Sequence, residues 1–205
     1  MLRTATQTTY RPMPPPPTPD KRSALLLMDL QAAIVASHAD ADFLARIQRA
    51  IDAARRVAMP VIWVVVQFRP GYPEVSGRNR LFAGVRQAGR LLEGDPQSAI
   101  HPALQPQPQD VVVTKRRVGA FSASDLDAVL RAGGIDALVL AGISTSGVVL
   151  STVRLAADLD FDLTVLRDGC CDADAEAHRV LTERIFPRQA AVPAVDEWIA
   201  SLAAA

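Results

Sequence analysis

An aspartate and a lysine stand near the ends of two apolar runs and could together perform acid–base chemistry. Asp29 lies in the run 24–30, and Lys115 ends the run 110–115. A carboxylate that is partly buried there needs a partner, and a nearby ammonium favours its ionised form, which makes Asp29 a candidate base. The same two residues could instead form a salt bridge at the edge of a sheet, because structural ion pairs also shift pKa values.

A second candidate for chemistry is the polar turn 142–147, which follows the apolar run 137–141. Its hydroxyl groups belong to Ser144, Thr145 and Ser146. A serine nucleophile needs an adjacent base, and no motif places one of the three histidines beside this turn. We therefore expect Ser144 and Thr145 to shape the turn or to contact a substrate, and we expect Ser146 to point in a different direction from the reactive position.

The two cysteines, Cys170 and Cys171, are adjacent and follow a later apolar run. Neighbouring cysteines make a poor disulfide, which is typical of a reducing compartment, and we expect a cytoplasmic protein. One of them could reach the rim of a pocket, but a small buried hydrophobe is the favoured interpretation. No histidines or cysteines have the spacing of metal ligands, and we expect neither a metal nor another cofactor.

The charge balance favours a small-molecule partner. The chain has 205 residues, with 22 basic and 22 acidic side chains and a formal net charge of zero. This balance gives no reason to expect nucleic acid or a membrane surface as a partner, and no apolar run reaches the roughly 18 residues of a membrane span. Arginines are dense at 78–90 and at 116–117, where they could be an ordinary solvated surface or could attract an anionic substrate.

These candidate residues need a fold that brings distant strand ends together. Apolar runs alternate with segments of helical spacing such as 41–57 and 80–92, which predicts a three-layer, Rossmann-like α/β sandwich with a mainly parallel six-stranded sheet. The predicted strands are 24–30, 61–68, 110–115, 136–142, 162–168 and 189–193. The carboxyl ends of such strands meet at one edge of the sheet, where ligands bind. Asp29, Gln67 and Lys115 would converge there with the turn.

The first 22 residues are set apart by their composition. They are rich in Thr and Pro, with four consecutive prolines at 14–17. We interpret residues 1–22 as an N-terminal arm, which is either disordered or packed on a neighbouring subunit, and residues 23–205 as one domain.

Between Ala24 and Leu202 the chain resembles the isochorismatase-like hydrolases, also called the cysteine hydrolase superfamily. The resemblance is carried by LLLMDLQ at 25–31, by the stretch 113–161 that begins VTKRRVGAFS, and by DGCCDADAEAH at 168–178. It implies that Asp29 and Lys115 are catalytic. It also implies a third catalytic position, which is usually a cysteine in the motif G-x-x-T-x-x-C. In this chain Val148 occupies that position.

Val148 changes the chemistry that the resemblance implies. A thiolate attacks a carbonyl carbon to form a covalent intermediate, and an isopropyl group cannot. The isochorismatases of this superfamily carry a small residue there and cleave a vinyl ether by protonating its enol carbon, which makes Asp29 the acid. We therefore predict a hydrolase of a small anionic molecule that uses Asp29 and Lys115 without a cysteine nucleophile. The alternatives are an inactive protein that binds a small molecule and an amidase-type hydrolase with a different nucleophile.

The resemblance also implies the surroundings of this chemistry. Backbone N–H groups near Ile143, Ser144 and Val148 would form an oxyanion pocket, and a cis peptide bond would join Ile143 to Ser144. Members of the superfamily form dimers or tetramers, so a homo-oligomer is expected. Four further side chains, chosen for their places near strand ends or in the turn, are predicted to line the substrate pocket: Gln31, Gln67, Phe121 and Thr145. For Phe121, packing in the core is an equal alternative.

Overall fold

Five parallel strands form the central sheet of the protein, whose structure, a computed structural model, describes residues 22–38 and 42–203. The strands are β1 (Ser23–Met28), β2 (Val61–Val66), β3 (Val111–Lys115), β4 (Ala137–Ile143) and β5 (Asp162–Cys171). Their order across the sheet is β3-β2-β1-β4-β5, with parallel pairing throughout. The predicted α/β fold is confirmed. The strand order reverses between β1 and β4, which opens a crevice beside their carboxyl ends.

The prediction of a sixth strand at 189–193 is wrong. The segment pairs with β5 through a single bridge between Ala191 and Thr164. Ala191 accepts a hydrogen bond from the Val165 N–H at 2.8 Å and donates one to the Leu163 carbonyl at 2.9 Å. The Pro193 carbonyl accepts a hydrogen bond from the Arg167 N–H at 2.9 Å, but Pro193 has no N–H group to donate the next bond, so the pairing falls short of a strand.

Seven helices accompany the strands in the described part of the chain. They are α1 (Ala32–His38), α2 (Phe43–Arg56), α3 (Arg80–Gln87), α4 (Leu126–Ala132), α5 (Leu150–Asp158), α6 (Ala175–Val180) and α7 (Val195–Leu202). Helix α3 ends before the predicted boundary at 92, and α1 was not predicted. A π-helical turn at Thr145–Val149 joins β4 to α5. None of these helices is both long and apolar enough to cross a membrane.

Apolar layers cover both faces of β1. Leu26 and Met28 face one layer, which includes Val148 and Val149. Leu25 and Leu27 face the other layer, which includes residues of α2 and α7. Burying one such leucine stabilises the fold by about 1.5–3 kcal/mol, so the end of β1 is held firmly in the middle of the sheet. The residue that follows, Asp29, is positioned by this core.

A close approach of two strands also fixes the neighbouring turn. Met28 of β1 lies opposite Gly142 of β4, and Gly142 has a φ of 151°. A Cβ atom at this position would lie 2.3 Å from the Met28 carbonyl oxygen, so only glycine fits. The chain therefore brings Ile143 and the turn that follows it alongside Asp29.

The predicted arm lies outside the described residues, apart from Arg22. The Arg22 carbonyl oxygen accepts hydrogen bonds from the N–H groups of Asp136 at 3.1 Å and Ala137 at 3.3 Å. These bonds fix the start of β1 beside the start of β4. The expected homo-oligomer stays a prediction.

Candidate active site

Asp29 sits at the carboxyl end of β1 with one carboxylate oxygen unpaired. Its φ of 57° lies in the left-handed region, which aspartate tolerates better than most residues, and its N–H donates to the Val64 carbonyl at 2.8 Å. The residue is only 6% exposed. Its Oδ2 accepts a hydrogen bond from Lys115, whereas its buried Oδ1 has no hydrogen-bond partner among the described residues. Oδ1 is therefore the carboxylate oxygen that still has hydrogen bonds to make.

Lys115 uses all three of its ammonium hydrogens within the protein. Its Nζ lies 2.8 Å from Asp29 Oδ2, 3.1 Å from the Arg117 carbonyl oxygen and 2.9 Å from the Val118 carbonyl oxygen. The side chain is 1% exposed. An ammonium group has three donors, so Lys115 is fully satisfied and offers none to a substrate in this arrangement.

The pKa of Asp29 is raised by burial to about 6, against the opposing effect of the Lys115 ammonium and its hydrogen bond. From the sequence, the nearby lysine was expected to favour the ionised form of this carboxylate. Burial outweighs the lysine here because the low-dielectric surroundings penalise the charged form. Asp29 can therefore carry a proton near neutral pH, which suits a general acid as well as a base.

A cavity of about 200 Å³ opens beside Asp29 and Lys115. The polar side chains that line it besides this ion pair are those of Ser144 and His38. Most of its wall is apolar and comes from several separate segments of the chain, with the lining residues Ile34, Val66, Leu81, Phe82, Val85, Leu91, Val118, Ile143, Gly147 and Val148. Such a lining suits a small molecule with a largely apolar body.

The turn after β4 forms the side of the cavity that the sequence assigned to it. Ile143, Ser144 and Val148 all line the cavity, and the peptide bond between Ile143 and Ser144 is cis, as the resemblance implied. Val148 is 2% exposed and packs into the apolar layer against the sheet. The position that would carry a thiol therefore presents methyl groups to the cavity.

Two side chains from the segment after β5 hold this turn. Asp172 Oδ2 accepts hydrogen bonds from the Ser146 N–H at 2.7 Å and from Ser146 Oγ at 2.6 Å. Thr145 Oγ1 lies 2.8 Å from His178 Nδ1, and burial lowers the pKa of His178. The hydroxyl groups of Thr145 and Ser146 thus stabilise the shape of the turn, which is one of the two roles expected for Thr145.

The four other predicted pocket residues do not line the cavity. Gln31 is fully buried, with its amide bonded to both the N–H and the carbonyl of Val66 and to the Ser98 carbonyl. Gln67 Nε2 also donates to the Ser98 carbonyl, at 2.9 Å. Thr145 turns toward His178, and the Phe121 ring packs against Phe161 with centroids 6.0 Å apart. Each of these side chains has a structural partner elsewhere, and none of them is part of the cavity lining.

Neither cysteine is placed to act as a nucleophile at the cavity. Cys170 is buried in the apolar layer, and burial raises the pKa of its thiol to about 12, so the thiolate is not formed near neutral pH. Cys171 is half-buried at the end of β5, and neither residue lines the cavity. Within residues 22–38 and 42–203, no three His, Cys, Asp or Glu side chains come together in a way that could hold a metal ion.

Helix α1 supplies two lining residues that the sequence did not reveal. Ile34 and His38 are four residues apart, so they lie on one face of the helix, and the Nδ1 atom of His38 is 3.0 Å from the Ile34 carbonyl oxygen. Because a carbonyl oxygen only accepts, Nδ1 must carry the hydrogen of this bond. The only signal in the sequence was the spacing of an apolar residue and a histidine after the first strand.

The chain is similar in sequence and structure to known proteins. The family profile described as Isochorismatase domain matches residues 23–197. YecD of Escherichia coli O157:H7, an uncharacterized isochorismatase family protein, is 35% identical over 187 residues, which cover 89% of this chain and 97% of YecD. Ureidoacrylate amidohydrolase RutB of Yersinia enterocolitica is 33% identical over 174 residues, or 74% of this chain and 76% of RutB. The structure of an isochorismatase family protein from Burkholderia thailandensis matches with a TM-score of 0.76 and 32% identity, covering 91% of this chain and 98% of that one.

Proposed function

This chain belongs to the isochorismatase family of hydrolases, and from that premise we propose that it hydrolyses a small molecule by acid–base chemistry at Asp29, without a covalent enzyme intermediate. The observation that carries the proposal is that Asp29 lines the cavity and that its buried Oδ1 has no hydrogen-bond partner among the described residues. The raised pKa of Asp29, about 6, supports it, because an acid near neutral pH must hold its proton until the reaction uses it.

Cleavage of a vinyl ether fits these groups. Asp29 Oδ1 gives its proton to the enol carbon, and the ether carbon becomes an oxocarbenium ion. A water oxygen bonds to that carbon and loses one proton to the Asp29 carboxylate. The resulting hemiketal breaks its bond to the ether oxygen, which takes up the remaining hydroxyl proton, and the products are a carbonyl compound and an alcohol. Lys115 stabilises the carboxylate while it is ionised, through its bond to Oδ2.

Val148 is the reason for proposing attack by water rather than by the enzyme. RutB is named an amidohydrolase, but the chemistry of a thiol nucleophile cannot be carried over to a valine side chain. The serines of the turn offer no replacement, since Ser146 Oγ donates to Asp172 and no histidine is bonded to Ser144 or Ser146 among the described residues.

The experiment is a turnover screen of the purified protein against panels of vinyl ethers, amides and esters. Every active compound is then tested with Asp29→Asn and with Asp52→Asn, a matched change on the exposed face of α2, where Asp52 accepts a hydrogen bond from Gln48. We expect Asp29→Asn to lower turnover by about 10²–10⁴-fold, the usual contribution of a general acid or base, and Asp52→Asn to leave it unchanged. Turnover that is unchanged in Asp29→Asn would contradict the proposal.

A protein that binds a small molecule without turning it over is the second candidate function. The observation that favours it is again Val148, which fills the reactive position and packs into the apolar layer. Saturable binding of a compound at the cavity, combined with no turnover in any panel, would decide for this candidate.

A further inference from the structure

We infer that, while Asp29 is ionised, the cavity selects uncharged molecules that place a hydrogen-bond donor near Asp29 Oδ1 and an apolar body against the apolar lining. This inference rests on the proposed function only in taking the cavity beside Asp29 as the place where the substrate binds. It replaces the expectation of an anionic substrate, which came from the arginines and from Lys115.

Lys115 does not provide a binding site for an anion. Its charge is balanced by Asp29 at 2.8 Å, and its two other hydrogens are donated to the carbonyl oxygens of Arg117 and Val118. A substrate carboxylate would have to break one of these buried bonds, which leaves a buried acceptor unsatisfied and so weakens its binding.

His38 does not supply an uncompensated charge either. One ring nitrogen is occupied by the Ile34 carbonyl, and the histidine interacts electrostatically with Asp172, whose pKa it helps to lower. Even a protonated His38 would therefore face a carboxylate. Both ionisable cations that line the described cavity are thus paired with acidic groups.

Two of the arginines expected to attract an anion, Arg116 and Arg117, are bonded to other groups of the protein instead. Arg116 forms ion pairs with Glu74 and Glu93 and also donates to the Gln67 carbonyl. Arg117 donates to the carbonyl oxygens of Arg116 and Glu74. In the part of the chain that the structure describes, no arginine lines the cavity.

The apolar lining that disfavours an anion favours an uncharged ligand that carries a hydrogen-bond donor. A negative charge would enter an apolar cavity next to Asp29, where both desolvation and repulsion by the ionised carboxylate oppose it. An N–H or O–H group would instead give Oδ1 the hydrogen bond that it lacks. The volume of about 200 Å³ corresponds to about seven water molecules at roughly 30 Å³ each, so the buried part of the ligand is small.

The effect of ligand charge on binding is distinguished from that of hydrogen bonding with three probes of similar shape: isovaleramide, 4-methylpentan-2-one and isovalerate. They share the same branched apolar body and differ only in whether the carbonyl carbon carries NH₂, CH₃ or O⁻. Dissociation constants are measured by NMR titration of the full chain near pH 8, where the Asp29 carboxylate is ionised because its pKa is about 6. We expect the amide to bind most tightly, the ketone next, and the carboxylate at least about tenfold more weakly than the amide, which is the worth of one hydrogen bond to a charged group.

The Asp29→Asn variant should reverse this order, and Asp52→Asn is the matched control. Removing the Asp29 charge leaves the Lys115 ammonium without a counter-charge beside the cavity, so isovalerate should then bind more tightly than isovaleramide. Asp52→Asn should keep the order of the unmodified protein. The reversal, which needs a folded cavity to be seen, shows that the selectivity comes from Asp29.

Two results would overturn the inference. One is tighter binding of isovalerate than of isovaleramide by the unmodified protein, and the other is no detectable binding of any probe up to its solubility. Neither result touches the proposed hydrolysis, which is judged by turnover and its dependence on Asp29. Conversely, the expected binding order without turnover would support the inference and leave the protein as a binder.

Discussion

The Lys115 ammonium lies 2.8 Å from one oxygen of Asp29, Oδ2, and the other oxygen, Oδ1, has no hydrogen-bond donor in the described part of the chain. The pair is therefore asymmetric, with one oxygen fixed in the protein and the other available for chemistry. Lys115 orients the carboxylate and compensates its charge, but its own hydrogens are all used. This division of roles can be measured through activity, through stability and through substitution of either partner.

Turnover should depend on pH through Asp29. If the carboxyl group is the acid, only its protonated form is active, and the pKa of about 6 sets the limit. We expect kcat/KM to be level below about pH 6 and to fall about tenfold for each pH unit above it. The measurement is a pH profile on a compound found in the turnover screen. A profile that rises from pH 5 to pH 7 would assign Asp29 the role of base instead.

Stability should also depend on the protonation of Asp29. Its pKa in the folded chain, about 6, lies above the ordinary aspartate value of 3.8, so the folded state holds the proton more tightly than the unfolded state. This contribution to stability is fully present below about pH 3.8 and is lost as pH rises through about 6. The free energy of unfolding, measured with urea, should fall as the pH rises from 4 to 6 in the unmodified protein. This fall should be absent in Asp29→Asn.

Removal of Lys115 should destabilise the fold more than removal of the whole ion pair. Lys115→Met leaves the buried Asp29 carboxylate without its partner, and breaking a buried pair from one side typically costs about 3–5 kcal/mol. The double variant Asp29→Asn, Lys115→Met removes both charges and should be closer to the unmodified protein. Denaturant unfolding near pH 8 measures both, and additive losses would contradict the coupling.

Only part of this site could be predicted from the sequence. Asp29 and Lys115 were predictable because each stands at the end of an apolar strand, and parallel strands bring such ends to one edge. The turn was predictable because its motif is specific. Gln31, Gln67 and Phe121 also stand near strand ends, but the direction of a side chain depends on partners such as Ser98 and Phe161, which are distant in sequence.

The prediction of strands and helices from the sequence was limited in a similar way. The five strands of the sheet were predicted from continuous apolar runs of the kind that buried parallel strands need. The predicted strand at 189–193 has a similar composition, but pairing depends on free N–H groups along one edge, and Pro193 lacks one. Helix α1 is short and has one buried residue, Val35, so its helical periodicity was too weak to detect.

Val148→Cys should create amidase activity. A thiol at this position would face the cavity beside Asp29, which is ionised above about pH 6 and can accept the thiol proton. Ammonia release from a panel of primary amides measures the gain. Val149→Cys is the matched control, because Val149 is fully buried and does not line the cavity. Equal activity in both variants, or in neither, would contradict the assignment of position 148.

Gly142→Ala should disrupt the junction between β1 and β4, whereas Gly84→Ala should not. The added Cβ at position 142 would lie 2.3 Å from the Met28 carbonyl oxygen, and the φ of 151° is unfavourable for alanine. We expect a loss of about 3 kcal/mol or more in the free energy of unfolding. Gly84 lies in α3, and a methyl group added there would meet no atom within 4 Å, so alanine should stabilise the helix by up to about 1 kcal/mol. Thermal unfolding of both variants tests the contrast.

Gln31 does not line the cavity, but its hydrogen bonds help to position segments that do. Its amide joins the end of β2 at Val66 to the loop at Ser98, and α1 begins at the next residue. Val66 is itself a lining residue, and α1 carries Ile34 and His38. Gln31 thus connects two parts of the cavity lining, the end of β2 and helix α1. We expect a change at Gln31 to move these two parts of the lining relative to each other. Such a movement would change which molecules fit in the cavity, although Gln31 is not a lining residue.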